Sequence, residues 1–394
     1  CPTIVSSQEQ FDAIVERINK GAAINIKLNK GRYILKKSVV AKSPVKIVGD
    51  EAVITFTSIC FNSEKSDNKN GTHYIYNLKT PLSPYAMFYN QHGELIYVSE
   101  TVLKNERVNY VEGIIDVPNN SFEAGTRIKI PISTNLSHLK SKTFNSAFGY
   151  FDNGWRVINF KLESSDNKNF YCTTLNKCDT QNFMYDYQVY KKPVRYVLFN
   201  VEITPGYIYY EDKKLYVPKG VDKLYCLNSK DLGGWMPSLV FNSDVELSGV
   251  NFIGFADIQV KSGKKNKCLI KDCTFKNTLG DALSITKEGG EGVREAVITD
   301  CTFEECSIQT GYMVRLSSDY IGVPCILMKN CTLVRYPLNY ASYKNPFGVI
   351  KVNGDVLIEN NIIYNTCRDH IYCRGGKINV KGNFLYNTDA FNAL

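Results

Sequence analysis

Residues 247–252, 270–275, 298–303, 328–333, 358–363 and 380–385 align without gaps, each segment opening and closing on an apolar side chain. Their fourth position reads Val250, Cys273, Cys301, Cys331, Asn361 and Asn383, at spacings of 23, 28, 30, 30 and 22 residues. Each unit reads as short alternating strands separated by turns rich in Asn and Asp, with no apolar stripe of helical period. Strands this short bury a face only by stacking unit upon unit, with the backbone pairing in parallel between neighbours. The pattern therefore predicts a parallel β-solenoid over residues 241–394. At the other end, Ser7, Gln10, Phe11, Ile14, Val15 and Ile18 predict a short amphipathic helix with a capping box, ending at Gly21 and covering an open end of the stack. Alternating segments at 24–28, 31–35, 45–48 and 52–56 predict its first coils.

Residues 61–240 interrupt the repeat and hold 17 of the 26 Tyr, 10 of the 20 Phe and both Trp. Strand patterns at 94–99, 108–117, 127–132, 156–163, 196–203, 207–210 and 214–217, with turn signals such as Asn70-Gly71 between them, predict an inserted antiparallel β-domain or two. Most of the aromatics suit a small all-β core. Trp155 and Trp235, each beside Gly, are the better candidates for stacking on a sugar face.

The Cys column has a packing reading. Separations of 28 and 30 residues match no compact metal site, and Asn361 and Asn383 take the same place. No metal and no cofactor is called for. Cys172 and Cys178, six apart, suit a local disulfide in an extracytoplasmic protein. Cys1 as the first residue suits a bacterial lipoprotein after signal-peptide removal, tethered to a cell surface or periplasmic membrane through lipid on that Cys; a trimmed chain is the plainer reading. Such a lipid would be the one contact with a membrane, since no apolar run approaches the roughly 18 residues of a span. The net charge of +8 is too dilute for a nucleic-acid protein and fits an acidic ligand better than a basic one. Residues 391–394 stop inside a strand pattern, which predicts further coils beyond them, where catalytic residues could also lie. Nothing in the pattern specifies an oligomer.

These coils resemble the pectin-lyase-like superfamily, and the stretch 205–218 is similar to a hairpin of β-helix glycoside hydrolases from gut bacteria. Abundant Tyr, Asn and Lys resembles Bacteroidetes composition. The resemblance covers about residues 1–60 and 241–394 and implies an all-β, right-handed, single-stranded parallel β-helix with an N-terminal capping helix and an inserted antiparallel β-domain. It implies a carbohydrate-active protein whose partner is a polysaccharide or oligosaccharide. Gly280-Asp-Ala-Leu-Ser-Ile285 resembles the Gly-Asp-Asp segment of polygalacturonases, with Ala282 in place of the second Asp, and only His370 of 368–371 resembles their later Gly-His-Gly segment.

Reading the third strand of each coil with Ile258/Val260, Leu283/Ile285, Val314/Leu316, Ile350/Val352 and Ile371/Cys373 inward leaves three outward columns. One is Gln259, Ser284, Arg315, Lys351, Tyr372; its neighbour is Asp257, Ala282, Met313, Val349, His370; the third is Lys261, Thr286, Ser317, Asn353, Arg374. Asp281 and Asp369 stand at strand entrances. A hydrolase needs two carboxylates, and Asp257 with Asp281 on adjacent coils is the first pair, with Asp369 next. Arg315, Lys351, His370, Tyr372 and Arg374 form a basic, partly aromatic face suited to a uronate or sulfate, and also to lyase chemistry. As outer solenoid positions they equally suit plain solvation, and each Asp alone suits a turn. A noncatalytic glycan-binding surface protein or adhesin is the rival from another class.

Overall fold

The structure, a computed structural model, describes residues 1–55, 61–67, 71–78, 82, 87–90, 95–96, 98, 111–113, 121–132, 134–152, 157–175, 178–179, 194–211, 213–221, 224–227, 239–254, 257–261, 266–278, 280–286, 295–307, 311–317, 325–334, 346–364 and 369–386. It forms two compact units, Cys1–Ser58 with Leu232–Leu394, and Ile59–Asp231.

The first unit is a parallel β-helix. Ser7 caps the helix Gln8–Asn19 by accepting from the Gln10 amide at 3.2 Å, and the Gln10 side chain reaches back to the Ser6 amide at 2.8 Å. The buried Phe11, Ile14, Val15 and Ile18 join the same core as the first coil. Strand Val45–Thr55 then pairs directly with Val245–Ile253, Val45 beside Val245 and Ile54 beside Phe252, so the coils resume in register across the insertion. Inside, Phe252, Phe275 and Phe303 stack at 5.3 and 4.7 Å between ring centroids and continue as Leu333 and Ile363.

The column before this ladder is piled as the repeat requires: the amides of Thr302, Thr332, Ile362 and Phe384 donate to the carbonyls of Cys273, Cys301, Cys331 and Asn361. Its turn explains the Asn, Asp and Gly that precede it. Asp272, Asp300, Asn330 and Asn360 all have φ between 51° and 56°, the left-handed region these short polar side chains tolerate. Gly249 takes φ 65° in the same turn, and a Cβ there would lie 2.7 Å from the Gly49 carbonyl oxygen, so no other residue fits. Cys273, Cys301 and Cys331 are buried, free thiols. Cys301→Ala should therefore cost about 1 kcal/mol for the lost packing in urea unfolding.

The second unit is antiparallel. Its six-stranded sheet runs Val111–Gly113, Val194–Phe199, Phe148–Asp152, Val157–Ser165, Asn169–Thr174, Arg127–Pro131, and a four-stranded sheet joins Tyr209–Glu211, Lys214–Pro218, His73–Leu78 and Phe61–Asp67. Alternation along Asn169–Thr174 turns Phe170 and Cys172 into a core with Ile128, Ile130, Phe160, Leu162 and Tyr196. Cys172 is accordingly a buried free thiol and forms no disulfide with Cys178. Strand pairing faces it to Ile128 and Leu162, which are core positions, and burial raises its thiol pKa. Among the described residues no helix is long and apolar enough to cross a membrane, and no cluster of His, Cys, Asp and Glu could hold a metal ion.

Candidate functional site

The candidate site residues fall on one face of the β-helix. Its seven-stranded parallel sheet stacks Val39–Ala41, Leu239–Phe241, Ile258–Lys261, Leu283–Thr286, Gly311–Ser317, Pro346–Asn353 and Asp369–Gly375. Val260, Ile285, Leu316 and Val352 lie in register on the inner side, the exposed Cys373 continues that row on the last described coil, and Gln259, Ser284, Arg315, Lys351 and Tyr372 lie in register on the outer side. The first outward column is thus the one the alternation predicts.

The second is not. Ala282, Met313 and Val349 are fully buried members of the core. Each precedes an inward residue, Leu283, Val314 or Ile350, so two consecutive side chains enter the core where the coil turns its corner. Strict alternation fails at a corner because the backbone direction changes within one residue. His370, level with Val349, is half-buried, and its Nε2 donates to the Tyr386 carbonyl at 3.2 Å, away from the Lys351 column. The third column holds as far as Asn353, which then pairs with Gly375. Arg374 is the extra residue of a bulge, exposed and within electrostatic reach of Lys351; bulges of this kind re-aim a side chain.

Asp281 is buried and saturated with donors. Its Oδ1 accepts from the Tyr312 amide at 2.8 Å, its Oδ2 from Ser284 Oγ at 2.7 Å and from Arg315 Nε at 2.7 Å, while Arg315 Nη2 lies 3.4 Å from Oδ1. Ser284 and Arg315 occupy successive coils of one column, so the stack itself brings the three groups together. Asp257, one coil earlier, is half-buried: Gln259 donates to its Oδ2 at 3.0 Å and its Oδ1 is buried without a hydrogen-bond partner. Burial, then the negative charge of Asp281, push its pKa up to about 7 against the milder opposing pull of Gln259 and Arg315. A carboxyl that keeps its proton near neutral pH can deliver it to a leaving oxygen.

Tyr312 joins the cations. Its ring lies 5.8 Å from the Arg315 guanidinium, 5.5 Å from the Lys351 ammonium and 6.1 Å from the Tyr372 ring, stacked at 22°. Tyr312 precedes the alternating stretch, so periodicity does not mark it; its one signal in the sequence is an aromatic on the Gly311 coil close after a strand entrance like that of Asp281. Desolvation, then the charges of Arg315 and Arg374, lower the Lys351 pKa. Asp257, Asp281, Arg315, Lys351, Tyr372 and Arg374 therefore share one sheet face, from which His370 stands apart. The backbone of Asp369 pairs with Gly348 at the entrance of the last of these strands. Trp155, Trp235 and the side chain of Asp369 lie outside the described residues.

No protein-family model matches the sequence, and neither does any curated protein. A solved structure titled "Glycoside hydrolase" is similar over 97% of this chain and 91% of its own, at 11% identity and a TM-score of 0.49. The Gp54 tailspike of Acinetobacter baumannii bacteriophage AP22, in complex with A. baumannii capsular saccharide, aligns over 99% of this chain and 68% of its own at 10% identity, with a TM-score of 0.15. The fold assignment rests on the strand register and the roles of the site residues on their geometry.

Proposed function

We propose that the protein is a glycoside hydrolase acting on a complex polysaccharide, with Asp257 as the general acid. The observation that carries this reading is the contrast between two carboxyl groups on adjacent coils, about 4.8 Å apart along the stack. Asp257 is held protonated to about pH 7, whereas Asp281 is tied into Arg315, Ser284 and the Tyr312 amide. Opposed environments for neighbouring acids are the means by which one site separates acid from anion. Asp281, with its oxygens already bonded to donors, serves best as a fixed charge that raises Asp257 and orients Arg315. The proton of Asp257 belongs on Oδ1, the oxygen that accepts nothing. A turn of the carboxyl about χ2 exchanges it with Oδ2 and offers it to a glycosidic oxygen as Gln259 is released; that oxygen leaves with the proton, water bonds to the sugar carbon in its place, and the proton the water gives up to solvent restores the acid form of Asp257.

A second reading has its own observation. Lys351, with a lowered pKa beside Arg315 and Arg374, suits a base that removes a proton from a uronate while the two arginines neutralise its carboxylate. Incubation with a panel of plant and host glycans separates the cases. New reducing ends without an unsaturated uronate chromophore are expected for hydrolysis. Reducing ends with the chromophore would mean elimination, and binding without either would mean a noncatalytic glycan-binding protein and end the enzymatic reading.

A further inference from the structure

The two outer faces of the β-helix treat their cations differently. On the larger sheet, lysines of one coil meet acids of the next: Lys46 with Glu246 at 2.6 Å, Lys267 with Glu295 at 3.4 Å, Lys276 with Glu304 at 3.2 Å, and both Lys329 and Lys381 with Glu359 at 3.6 and 3.2 Å. On the seven-stranded sheet Arg315 lies directly beneath Lys351, and Arg374, the extra residue of the bulge on the next coil, is within electrostatic reach of Lys351. Asp281 answers Arg315, but among the described residues no acid pairs with Lys351 or Arg374. Like charges facing one another across paired strands destabilise a sheet. Two neighbouring cations beside tyrosines, with no acid in ion-pair contact among the described residues, are what a site for an anion looks like.

We propose that Lys351 and Arg374, with Tyr312 and Tyr372, form a subsite for an anionic substituent, carboxylate or sulfate, on a sugar other than the one being cleaved. The inference rests on the carbohydrate reading above and adds the substrate's charge and where it falls. Lys351 stands three coils beyond Asp257 and Arg374 four, roughly 14 and 19 Å at about 4.8 Å per coil. A glycan lying along the stack would then present its charged sugar roughly three or four units from the bond beside Asp257. The exposed ring of Tyr372, stacked on the buried Tyr312, offers the ring of that sugar an apolar surface.

The test uses the full chain carrying Asp257→Asn, which slows turnover during the binding measurement, on an array holding each glycan core in neutral, uronated and sulfated form. Calorimetry follows on the best core as dimer and as tetramer. A charged tetramer should bind at least about tenfold more tightly than its neutral form. That margin should shrink at high salt and be lost in Lys351→Met and in Arg374→Gln; the latter alters an exposed side chain and keeps the test valid if the former fails to fold. Whichever of the uronated and sulfated arms is preferred identifies the anion. Equal binding of neutral and charged forms overturns the subsite, and a charged dimer binding as tightly as the tetramer overturns its distance from Asp257. Should the wild type cleave neutral glycans only, this inference fails while the hydrolase stands. Should charged glycans bind and never be cut, the subsite stands and the hydrolase fails.

Discussion

Replacing Asp257 by Asn should lower turnover of the cleaved glycan by about a hundred- to ten-thousand-fold, the range spanned by removal of a general acid. The change is nearly isosteric and leaves the surrounding coil intact, so the loss should appear in kcat more than in KM. In the wild type, kcat/KM should fall as pH rises through about 7, where Asp257 gives up its proton. Stability supplies an independent reading. Folded Asp257 holds its proton up to about pH 7, while the unfolded chain releases it near the ordinary value of 3.8. Between those values the folded state binds more protons, so the contribution of this group is fully present below the unfolded value and is lost as pH rises toward 7. Asp257→Asn should therefore be more stable than the wild type above pH 7, on the order of 2 kcal/mol after screening at a partly exposed group, and about equal to it below pH 4. A gain of stability with a loss of activity marks a residue kept for chemistry. Denaturant unfolding at the two pH values checks it, and a variant with unaltered turnover would exclude Asp257 as the acid.

Asp281→Asn should act in the opposite sense on stability. The substitution leaves the Arg315 guanidinium, two-thirds buried, without its counter-ion. Breaking a fully buried pair from one side costs about 3 to 5 kcal/mol, and the partial exposure of Arg315 brings the expectation to about 2 to 3 kcal/mol. It also removes one of the two influences that raise Asp257 and leaves the opposing positive charge of Arg315 unbalanced. The alkaline limb of the pH–rate profile should therefore move to lower pH, leaving less of the acid form at neutrality. A profile that keeps its alkaline limb near pH 7 in Asp281→Asn would show that the two carboxyl groups do not communicate. A merely structural role for Asp281 predicts the stability loss without that displacement.

The coil repeat was legible because its cause is local and recurrent. Every coil must place an apolar residue where Phe252, Phe275, Phe303, Leu333 and Ile363 stack, and a residue tolerant of left-handed φ where Asp272, Asp300, Asn330 and Asn360 turn. The capping helix and the outward column from Gln259 to Tyr372 follow from the same periodicities. In the insertion, strands Phe61–Asp67, His73–Leu78 and Asn169–Thr174 escaped notice, because antiparallel pairing between distant segments leaves only brief alternation in each.

The sequence by itself determined that the last third winds as stacked coils and which side chains share the column from Gln259 to Tyr372, since a period of two along the strand and one turn per repeat suffice for both. Only the tertiary structure decided what those columns do. The corner that buries Met313 and Val349, the bulge that frees Arg374, the reach of Arg315 to Asp281 and the unpartnered oxygen of Asp257 all depend on offsets of a single residue between neighbouring coils. A pKa near 7 then arises from how little water and how much neighbouring charge surround one carboxyl, quantities set by packing in three dimensions.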